Sequence, residues 1–448
     1  MKIWKVLLQR NMFINFVLGF SSGIPLLLTS KTLQGWLSDA NMGLTVIGLA
    51  ALIGLPYTLK FLWAPIFDRF SLPFLGRRRG WLLAIQAALA GAILFVAATP
   101  PGKAGPLAAR VPEFLVGFLA WLSKDLPLTE LSLTLIGGCF LVSFLSASQD
   151  IVVDAFRRES LRDEELGMGS TVYIYGYRIA LWVSGGLAFI LADKLSWPVV
   201  YAAMAGGIAI GMIATLMAEE PKITGTKPRT FNESVTVPLK EFFGRKGVLS
   251  ALTVLVFILL YKLGDTLAGA VAVKFYKDLH YSNAEIGTIA KTFGFASAMV
   301  GSFIGGAMIL KIGIRYVLLV GGILQAFSTG CLALLPSFGH SELALAWVIG
   351  FEDVSAAIGT AAFAAFMATQ TNKQYTAFQY AILTSIMGVP RTLLAAPAGI
   401  WAESLGYEAY FTICMVVAAP GLLLLLLMLR SSHFQTEVKS DAPALGKA

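Results

Sequence analysis

Charged residues are scarce in this sequence. Asp, Glu, Lys and Arg together make up 13% of the 448 residues, while hydrophobic residues make up 57%. A soluble globular domain carries about 25% charged residues, so we interpret this chain as an integral membrane protein. The net charge of +8 does not indicate a nucleic-acid partner, because the basic residues are distributed among the loops between apolar runs.

Cysteine and histidine are also rare, with three of each. Cys139, Cys331 and Cys414 lie in apolar runs, so neither a disulfide framework nor a Cys/His metal site is indicated. There is no phosphate-binding loop, which excludes ATP as the energy source. No small-residue cleavage site follows the first apolar run, and we expect it to remain as a helix. Nothing in the sequence indicates a catalytic site, a bound cofactor or an obligate protein partner.

Long apolar runs are abundant. About 20 residues of helix cross the ~30 Å hydrocarbon core of a bilayer, and twelve runs of suitable length are present, six on each side of a polar interval. The predicted spans are 12–37, 44–67, 81–98, 131–155, 169–192, 198–218, 248–275, 284–310, 316–336, 343–369, 377–403 and 406–429.

The two sets of spans resemble each other weakly, which predicts two pseudo-symmetric six-helix halves. This is the layout of major facilitator transporters. We predict an N-terminal bundle over 1–218, a linker over 219–247, a C-terminal bundle over 248–430 and a tail over 431–448. Within the linker, residues 237–243 are either a short interfacial helix or a plain loop. In the outer loop 100–130, the apolar segment 111–122 is expected to form a surface helix rather than a re-entrant lid.

Lysine and arginine predict the orientation. The loops on the side of the two termini hold most of the basic residues. Those on the other side hold only Lys31, Lys103, Arg110, Lys124, Lys194, Lys274 and Lys277. By the positive-inside rule, both termini are predicted to be cytoplasmic.

Ionisable residues inside the spans carry the functional signal. Such a residue costs roughly 2.5 to 3.5 kcal/mol on insertion scales unless it faces a partner or a water-filled cavity. The third, sixth, ninth and twelfth spans have none within their interiors, and these are the peripheral helices of a major facilitator fold. The other spans therefore predict a polar central cavity. They contain Lys60, Asp150, Asp154, Arg178, Lys262, Asp265, Lys291, Glu352, Asp353 and Arg391.

Asp150 and Asp154 are four residues apart and share one helix face. Asp154 lies one turn nearer the cytoplasm and is predicted to form a gating salt bridge with Arg157 or with residues 77–79. Asp150 has no basic residue in its own span, so it is the better candidate for coupling. The predicted gate consists of Asp68, Arg69, Arg77, Arg78, Arg79, Asp154 and Arg157.

In the second half, Lys262 and Asp265 are three residues apart and can pair with each other. Glu352 and Asp353 diverge by about 100° on a helix, so one is expected to face the cavity and the other a basic partner. Basic residues on five helices would make the cavity suited to an anionic, hydroxyl-rich solute. The predicted binding residues are Gln34, Trp36, Lys60, Gln149, Asp150, Tyr177, Arg178, Tyr261, Lys262, Lys291, Asp353 and Arg391.

An ordered set of motifs resembles the AmpG muropeptide permeases over nearly all spans. The motifs are 19–25 (GFSSGIP), 29–36 (TSKTLQGW), 60–69 (KFLWAPIFDR), 76–81 (GRRRGW), 146–155 (SASQDIVVDA), 176–178 (GYR), 184–186 (SGG) and 261–265 (YKLGD). The resemblance implies proton-driven import of N-acetylglucosaminyl-1,6-anhydro-N-acetylmuramyl peptides across the bacterial inner membrane. It also implies a role in cell-wall recycling and β-lactamase induction, and places the functional carboxylate of the family on Asp150. The outer loop 100–130 and the tenth span depart from the family pattern.

We therefore expect Asp150, Asp265 or Glu352 to take up the coupling proton, with no cofactor besides the proton gradient. The expected partners are an anionic glycopeptide, protons and the lipid bilayer. Two alternatives remain open at this stage. One is a facilitator for another anionic solute, such as a coenzyme A thioester or an organic anion. The other is an integral-membrane enzyme or scaffold.

Overall fold

The computed structural model describes residues 7–40, 53–99, 130–221, 230–245, 247–390 and 397–429, and these ranges are helical without strands. Ten helical stretches within them are long and apolar enough to cross a membrane, which confirms the predicted all-α membrane fold. The second and eleventh predicted spans are described only in part. The outer segment 111–122 lies outside the described residues.

The first half begins with a helix that contains Pro25, where the side chains of Thr29 and Ser30 bond to carbonyl oxygens of the preceding turn. Its second span is irregular, with a 3-10 turn at Lys60–Leu62. The helices of this half are α1 (Arg10–Leu28), α2 (Lys31–Asp39), α3 (Leu55–Leu59), α4 (Ala64–Arg69), α5 (Arg77–Ala97), α6 (Glu130–Ser160), α7 (Leu166–Trp182), α8 (Ala188–Ala192) and α9 (Trp197–Met217).

The linker contains a helix, α10 (Phe231–Arg245), which decides between the two alternatives for residues 237–243 in favour of a helix. The second half follows it. Its helices are α11 (Val248–Tyr261), α12 (Leu263–Asp278), α13 (Asn283–Ile286), α14 (Gly294–Ile312), α15 (Ile314–Leu334), α16 (Glu342–Thr369), α17 (Thr376–Val389), α18 (Ala398–Leu405), α19 (Tyr407–Val417) and α20 (Ala419–Leu429).

Glycines allow the helices to approach closely, as expected for membrane bundles. A Cβ on Gly176 of α7 would lie 1.9 Å from the carbonyl oxygen of Phe16 on α1. In the second half, a Cβ on Gly305 would lie 3.0 Å from the Cα of Ile358 on α16. Glycine therefore permits close helix packing in both halves.

The two halves meet through α7, which packs on α14 and α16, and through α17, which packs on α4 and α6. The linker helix α10 packs on α4 of the first half and on α11 and α17 of the second. We call this end of the bundle the linker end. It is the side predicted to be cytoplasmic, and both that orientation and the domain boundaries stay predictions.

Two membrane helices are interrupted at a basic residue. The 3-10 turn that begins at Lys60 separates α3 from α4. Lys262 separates α11 from α12 with backbone angles of −104° and 7°. Each interruption lies inside a predicted span, where irregular backbone is tolerated when it is buried in protein or lines a cavity.

Candidate functional site

The linker end of the first half is held by a buried ion network. The Arg78 guanidinium donates from Nη2 to Asp68 at 2.7 Å and to Glu159 at 2.5 Å, and all three side chains are at most 1% exposed. Arg77 donates to the same Glu159 at 3.1 Å. Two arginines therefore share two carboxylates, which offsets the cost of burying the charges.

Asp68 also connects the two halves. Its carboxylate accepts from the backbone N–H groups of Ala377 at 3.3 Å and Phe378 at 2.9 Å, in the first turn of α17. Free N–H groups and the helix dipole favour an anion at a helix N-terminus. Arg77 contributes a further contact across the halves through the carbonyl oxygen of Gln374 at 3.3 Å.

Asp154 forms the salt bridge expected of it, with Arg157 at 2.9 Å. Its pairing with residues 77–79, the other alternative, is not observed, because Arg77 and Arg78 bind Glu159. Arg157 then donates to the Tyr380 hydroxyl of α17 at 2.8 Å and stacks over Tyr173 at 4.6 Å. This chain of contacts joins α6 to the second half.

One predicted gate residue binds within its own half. Arg79 donates to the carbonyl oxygens of Thr215 at 3.1 Å and Leu216 at 2.7 Å, at the end of α9. It therefore caps a helix of its own half, and its assignment to the gate between the halves is corrected. Arg69 lies over the ring of Phe70 at 4.7 Å.

A polar cluster of the first half surrounds Asp150. This residue lies deep in the bundle yet is partly accessible, whereas its Oδ1 atom is fully enclosed and has no hydrogen-bond partner in the described part of the chain. Lys60 and Tyr57 of the interrupted second span, and Ser22 of α1, lie beside it. The predicted span of Asp150 contains no basic residue, and Lys60 provides a nearby positive charge from another helix.

A second cluster lies in the second half. Lys262 donates to Asp265 at 3.3 Å and to the carbonyl oxygen of Ala356 at 3.3 Å, which confirms the predicted Lys262–Asp265 pair. Glu352 of α16 is partly accessible and lies within electrostatic reach of that pair. The cluster contains two carboxylates around one ammonium.

Arg178 and Asp353 face each other electrostatically from α7 and α16. Both are partly accessible, as is Tyr177, whose ring lies 6.2 Å from that of Tyr173. Asp353 also packs against Gly294 of α14, where an added Cβ would lie 2.3 Å from its Oδ2. Arg178 and Tyr177 belong to the first half, and Asp353 belongs to the second.

Two predicted binding residues, both aromatic, belong to the core instead. Trp36 is 4% exposed and packs on Trp197 and Tyr201 with ring centroids 6.4 and 4.7 Å away. Tyr261 is 5% exposed, stacks on Phe363 at 4.8 Å and donates to a carbonyl oxygen of α15. Both assignments to substrate binding are corrected, because the rings are covered by side chains of their own half.

The remaining predicted residues differ in accessibility. Gln149 is fully buried and donates to Ser21 and Ser22 at 3.3 Å, so it joins α6 to α1 and is not accessible in this state. Gln34 is exposed on α2. The side chain of Lys291 and the whole of Arg391 lie outside the described residues.

Two residues of this arrangement were missed by sequence reasoning: Glu159 and Tyr380. Each lies in a segment that was recognised, but a tyrosine or glutamate near a helix end gives no signal of its partner. Within the described ranges, no group of three His, Cys, Asp or Glu residues is placed to hold a metal ion. The arrangement is thus a set of fixed and titratable charges between two helix bundles.

Solved structures define the class of protein. An outward-facing crystal structure of a bacterial homologue of the iron transporter ferroportin has a TM-score of 0.63, covering 94% of this chain and 99% of that chain at 11% identity. The proton:xylose symporter XylE bound to 6-bromo-6-deoxy-D-glucose has a TM-score of 0.60, with 94% and 95% coverage at 11% identity. Residues 258–447 match the Major Facilitator Superfamily model. The chain therefore has the fold of the major facilitator transporters.

Sequence relatives define the family. The chain is 37% identical to the anhydromuropeptide permease of Escherichia coli K12, over 94% of this chain and 80% of that protein. It is 38% identical to a Haemophilus influenzae protein, over 93% and 94%, and 30% identical to the putative transporter AmpG 4 of Rickettsia conorii, over 95% and 98%. Residues 11–194 also match a model described as Acetyl-coenzyme A transporter 1. The chain belongs to the anhydromuropeptide permease (AmpG) family.

Proposed function

We propose that this protein imports anhydromuropeptides from the periplasm by proton-coupled alternating access. The observation that carries the proposal is the pair of charged clusters, around Asp150 in one half and Glu352 in the other. Both are partly accessible in a bundle whose halves are joined at the linker end. A site between two halves that close at one end is the geometry of a rocking transporter.

The chemistry of the lining suits an anionic glycopeptide. Lys60 and Arg178 supply positive charge from the first half, and Lys262 supplies it from the second. Tyr177 offers an aromatic face and a hydroxyl to a sugar. Long basic side chains on different helices can bind separate carboxylates of one extended peptide, which a single ion pair cannot do.

Proton coupling follows from the carboxylates of the two clusters. A proton on Asp150, Asp265 or Glu352 removes one negative charge and so changes which helix contacts are attractive. A ligand shifts a conformational equilibrium only through its different affinity for the two states. Transport of the proton and of the solute is therefore coupled when both stabilise the same inward-facing state.

We further propose an inner-membrane location with both termini cytoplasmic. Arg77 and Arg78, which belong to the ion network at the linker end, are among the basic residues that support this orientation. The closed linker end then faces the cytoplasm, and the site is reached from the periplasm. A solute released by cell-wall turnover would meet the transporter from that side.

Uptake into sealed vesicles tests the proposal. Vesicles with the wild type should accumulate labelled anhydromuropeptide when a proton gradient is imposed, and an uncoupler should abolish accumulation. We expect Asp150→Asn, Asp265→Asn or Glu352→Gln to lose gradient-driven accumulation, whereas the exposed Glu408→Gln should behave as the wild type. Full accumulation in all three charge variants would contradict the coupling mechanism.

A coenzyme A thioester is the second candidate solute, because residues 11–194 match the Acetyl-coenzyme A transporter 1 model. Phosphates and carboxylates both suit a basic cavity, so charge alone does not separate the candidates. Thermal stabilisation of the purified protein separates them, since a ligand that binds the folded state raises the unfolding temperature. We expect stabilisation by anhydromuropeptide and none by acetyl-coenzyme A at the same concentration.

A further inference from the structure

Lys60 is a buried cation without an ion pair. Its side chain is 8% exposed, yet no carboxylate of the described residues lies within 4.0 Å of its ammonium and the structure shows no hydrogen bond from it. Although the ammonium has no hydrogen bond in the described part of the chain, it is not fully enclosed, and it therefore reaches accessible space. Lys262, a partly buried cation of the second half, is bonded to Asp265 and to a carbonyl oxygen.

Asp150 is a carboxylate within electrostatic reach of Lys60. The other groups that face Asp150 are Asp154 and Arg157 on α6, Tyr57 on α3 and Tyr173 on α7. Arg157 is already bonded to Asp154 and to the Tyr380 hydroxyl. Lys60 is therefore the counter-charge that remains available to Asp150.

The interrupted helix explains this position. Lys60 opens the 3-10 turn between α3 and α4, and Pro56 and Pro65 stand in the first turns of those helices. The packed stem of a lysine can carry its ammonium along an apolar surface to a polar space. The ammonium is thus held at the edge of the cluster, where a solute can reach it.

We propose that the Lys60 ammonium is shared alternately by Asp150 and by a carboxylate of the transported solute. When the solute carboxylate binds the ammonium, Asp150 loses its counter-charge and takes a proton from the outer solution. The charges of Lys60 and Asp150 sum to zero before this exchange. Afterwards the charges of Lys60, protonated Asp150 and the bound solute carboxylate also sum to zero. Because an uncompensated carboxylate is costly in a poorly hydrated interior, the proton follows the solute. This inference rests on the proposed function and names its coupling step.

Binding-linked proton uptake tests the exchange. The full chain is purified in detergent, titrated with anhydromuropeptide at neutral pH in weak buffer, and proton uptake is read with an indicator dye. We expect roughly one proton taken up per bound solute in the wild type. Lys60→Gln should bind about tenfold more weakly or worse, as expected on losing a charge-assisted contact, and should take up no proton. Lys60→Arg should retain both binding and uptake.

Asp150→Asn is a second test variant, and its result does not depend on whether Lys60→Gln folds. It should bind the solute without proton uptake, and a solute with esterified carboxylates should cause no uptake in the wild type. Lys274→Gln, at an exposed lysine, is the matched control and should resemble the wild type. Wild-type binding with unchanged proton uptake in either Lys60→Gln or Asp150→Asn overturns the exchange alone. A wild-type protein that does not bind anhydromuropeptide overturns the proposed function as well.

Discussion

Glu159 is the residue whose removal should most weaken the first half. Its carboxylate is fully buried and neutralises both Arg77 and Arg78. Glu159→Gln leaves excess positive charge in the interior, and breaking a buried pair in this way costs about 3 to 5 kcal/mol. We expect a marked fall in the thermal unfolding temperature of the detergent-purified protein.

Glu219 provides the control for this prediction. It pairs with Arg10 at 3.1 Å, but the two side chains are 82% and 57% exposed. An exposed pair contributes about 0 to 1 kcal/mol, so Glu219→Gln should leave the unfolding temperature nearly unchanged. Equal effects of the two substitutions would mean that the network around Arg78 does not stabilise the fold.

Individual residues also show what sequence reasoning can reach. The polar surroundings of Asp150 and the Lys262–Asp265 pair were predictable, because a charged side chain inside an apolar run needs a partner or a polar cavity. Glu159 was not, because it follows Arg157 and Arg158 at a helix end, where charges are ordinarily solvated. Trp36 was misassigned because an aromatic ring in a membrane helix gives the same pattern whether it lines a cavity or packs in the core.

Elements were predicted better than their irregularities. Hydrophobic run length fixes where a helix crosses the membrane, so most of the spans have a helical counterpart in the structure. The interruptions at Lys60 and Lys262 were not predicted, because the length of a hydrophobic run does not report a local break in the helix. The linker helix was equally ambiguous, because Pro238 inside it is compatible with either a helix or a loop.

The Glu241 carboxylate contributes to the docking of the linker helix α10. The carboxylate binds Arg245, Asn372 and Gln379 at 2.6 to 3.1 Å. Burial raises the pKa of Glu241, but these hydrogen bonds outweigh burial and hold the pKa below its ordinary value. The docking therefore involves the ionised form and ties α10 to the loop between α16 and α17.

We predict that acid releases this helix. A carboxyl group whose pKa is lowered in the folded state contributes stability above its unfolded pKa, near 4.3, and loses it as the pH falls through the folded pKa. A nitroxide at the exposed Lys240 position should become more mobile in this acidic range. In Glu241→Gln the probe should be more mobile at neutral pH and should lack the acidic step. The same step in both proteins would exclude Glu241 as its source.

At the scale of the whole molecule, the contacts described between the halves at the linker end keep that end shut. Asp68 and Arg157 each bind α17 across the interface, while α7 meets α14 through Thr171 and the Ser302 carbonyl oxygen at 3.2 Å. For a rocking bundle, opening this end requires these bonds to break together. The free energy of the closed state therefore depends on a small set of named contacts, and weakening one should shift the whole equilibrium.

Asp68→Asn should favour opening of the linker end. The Asp68–Arg78 pair lies within the first half, whereas the bonds of Asp68 to Ala377 and Phe378 cross between the halves and depend on closure. Losing the charge at the α17 N-terminus should weaken closure by about 2 kcal/mol, or roughly thirtyfold in the ratio of states.

Spin labels at the exposed positions Glu164 and Lys373, in a background without the native cysteines, should report longer distances. Asp193→Asn, at an exposed position away from this end, should leave the distances unchanged, and an unaltered distribution in Asp68→Asn would mean that the gate is held by the Arg157–Tyr380 contact instead.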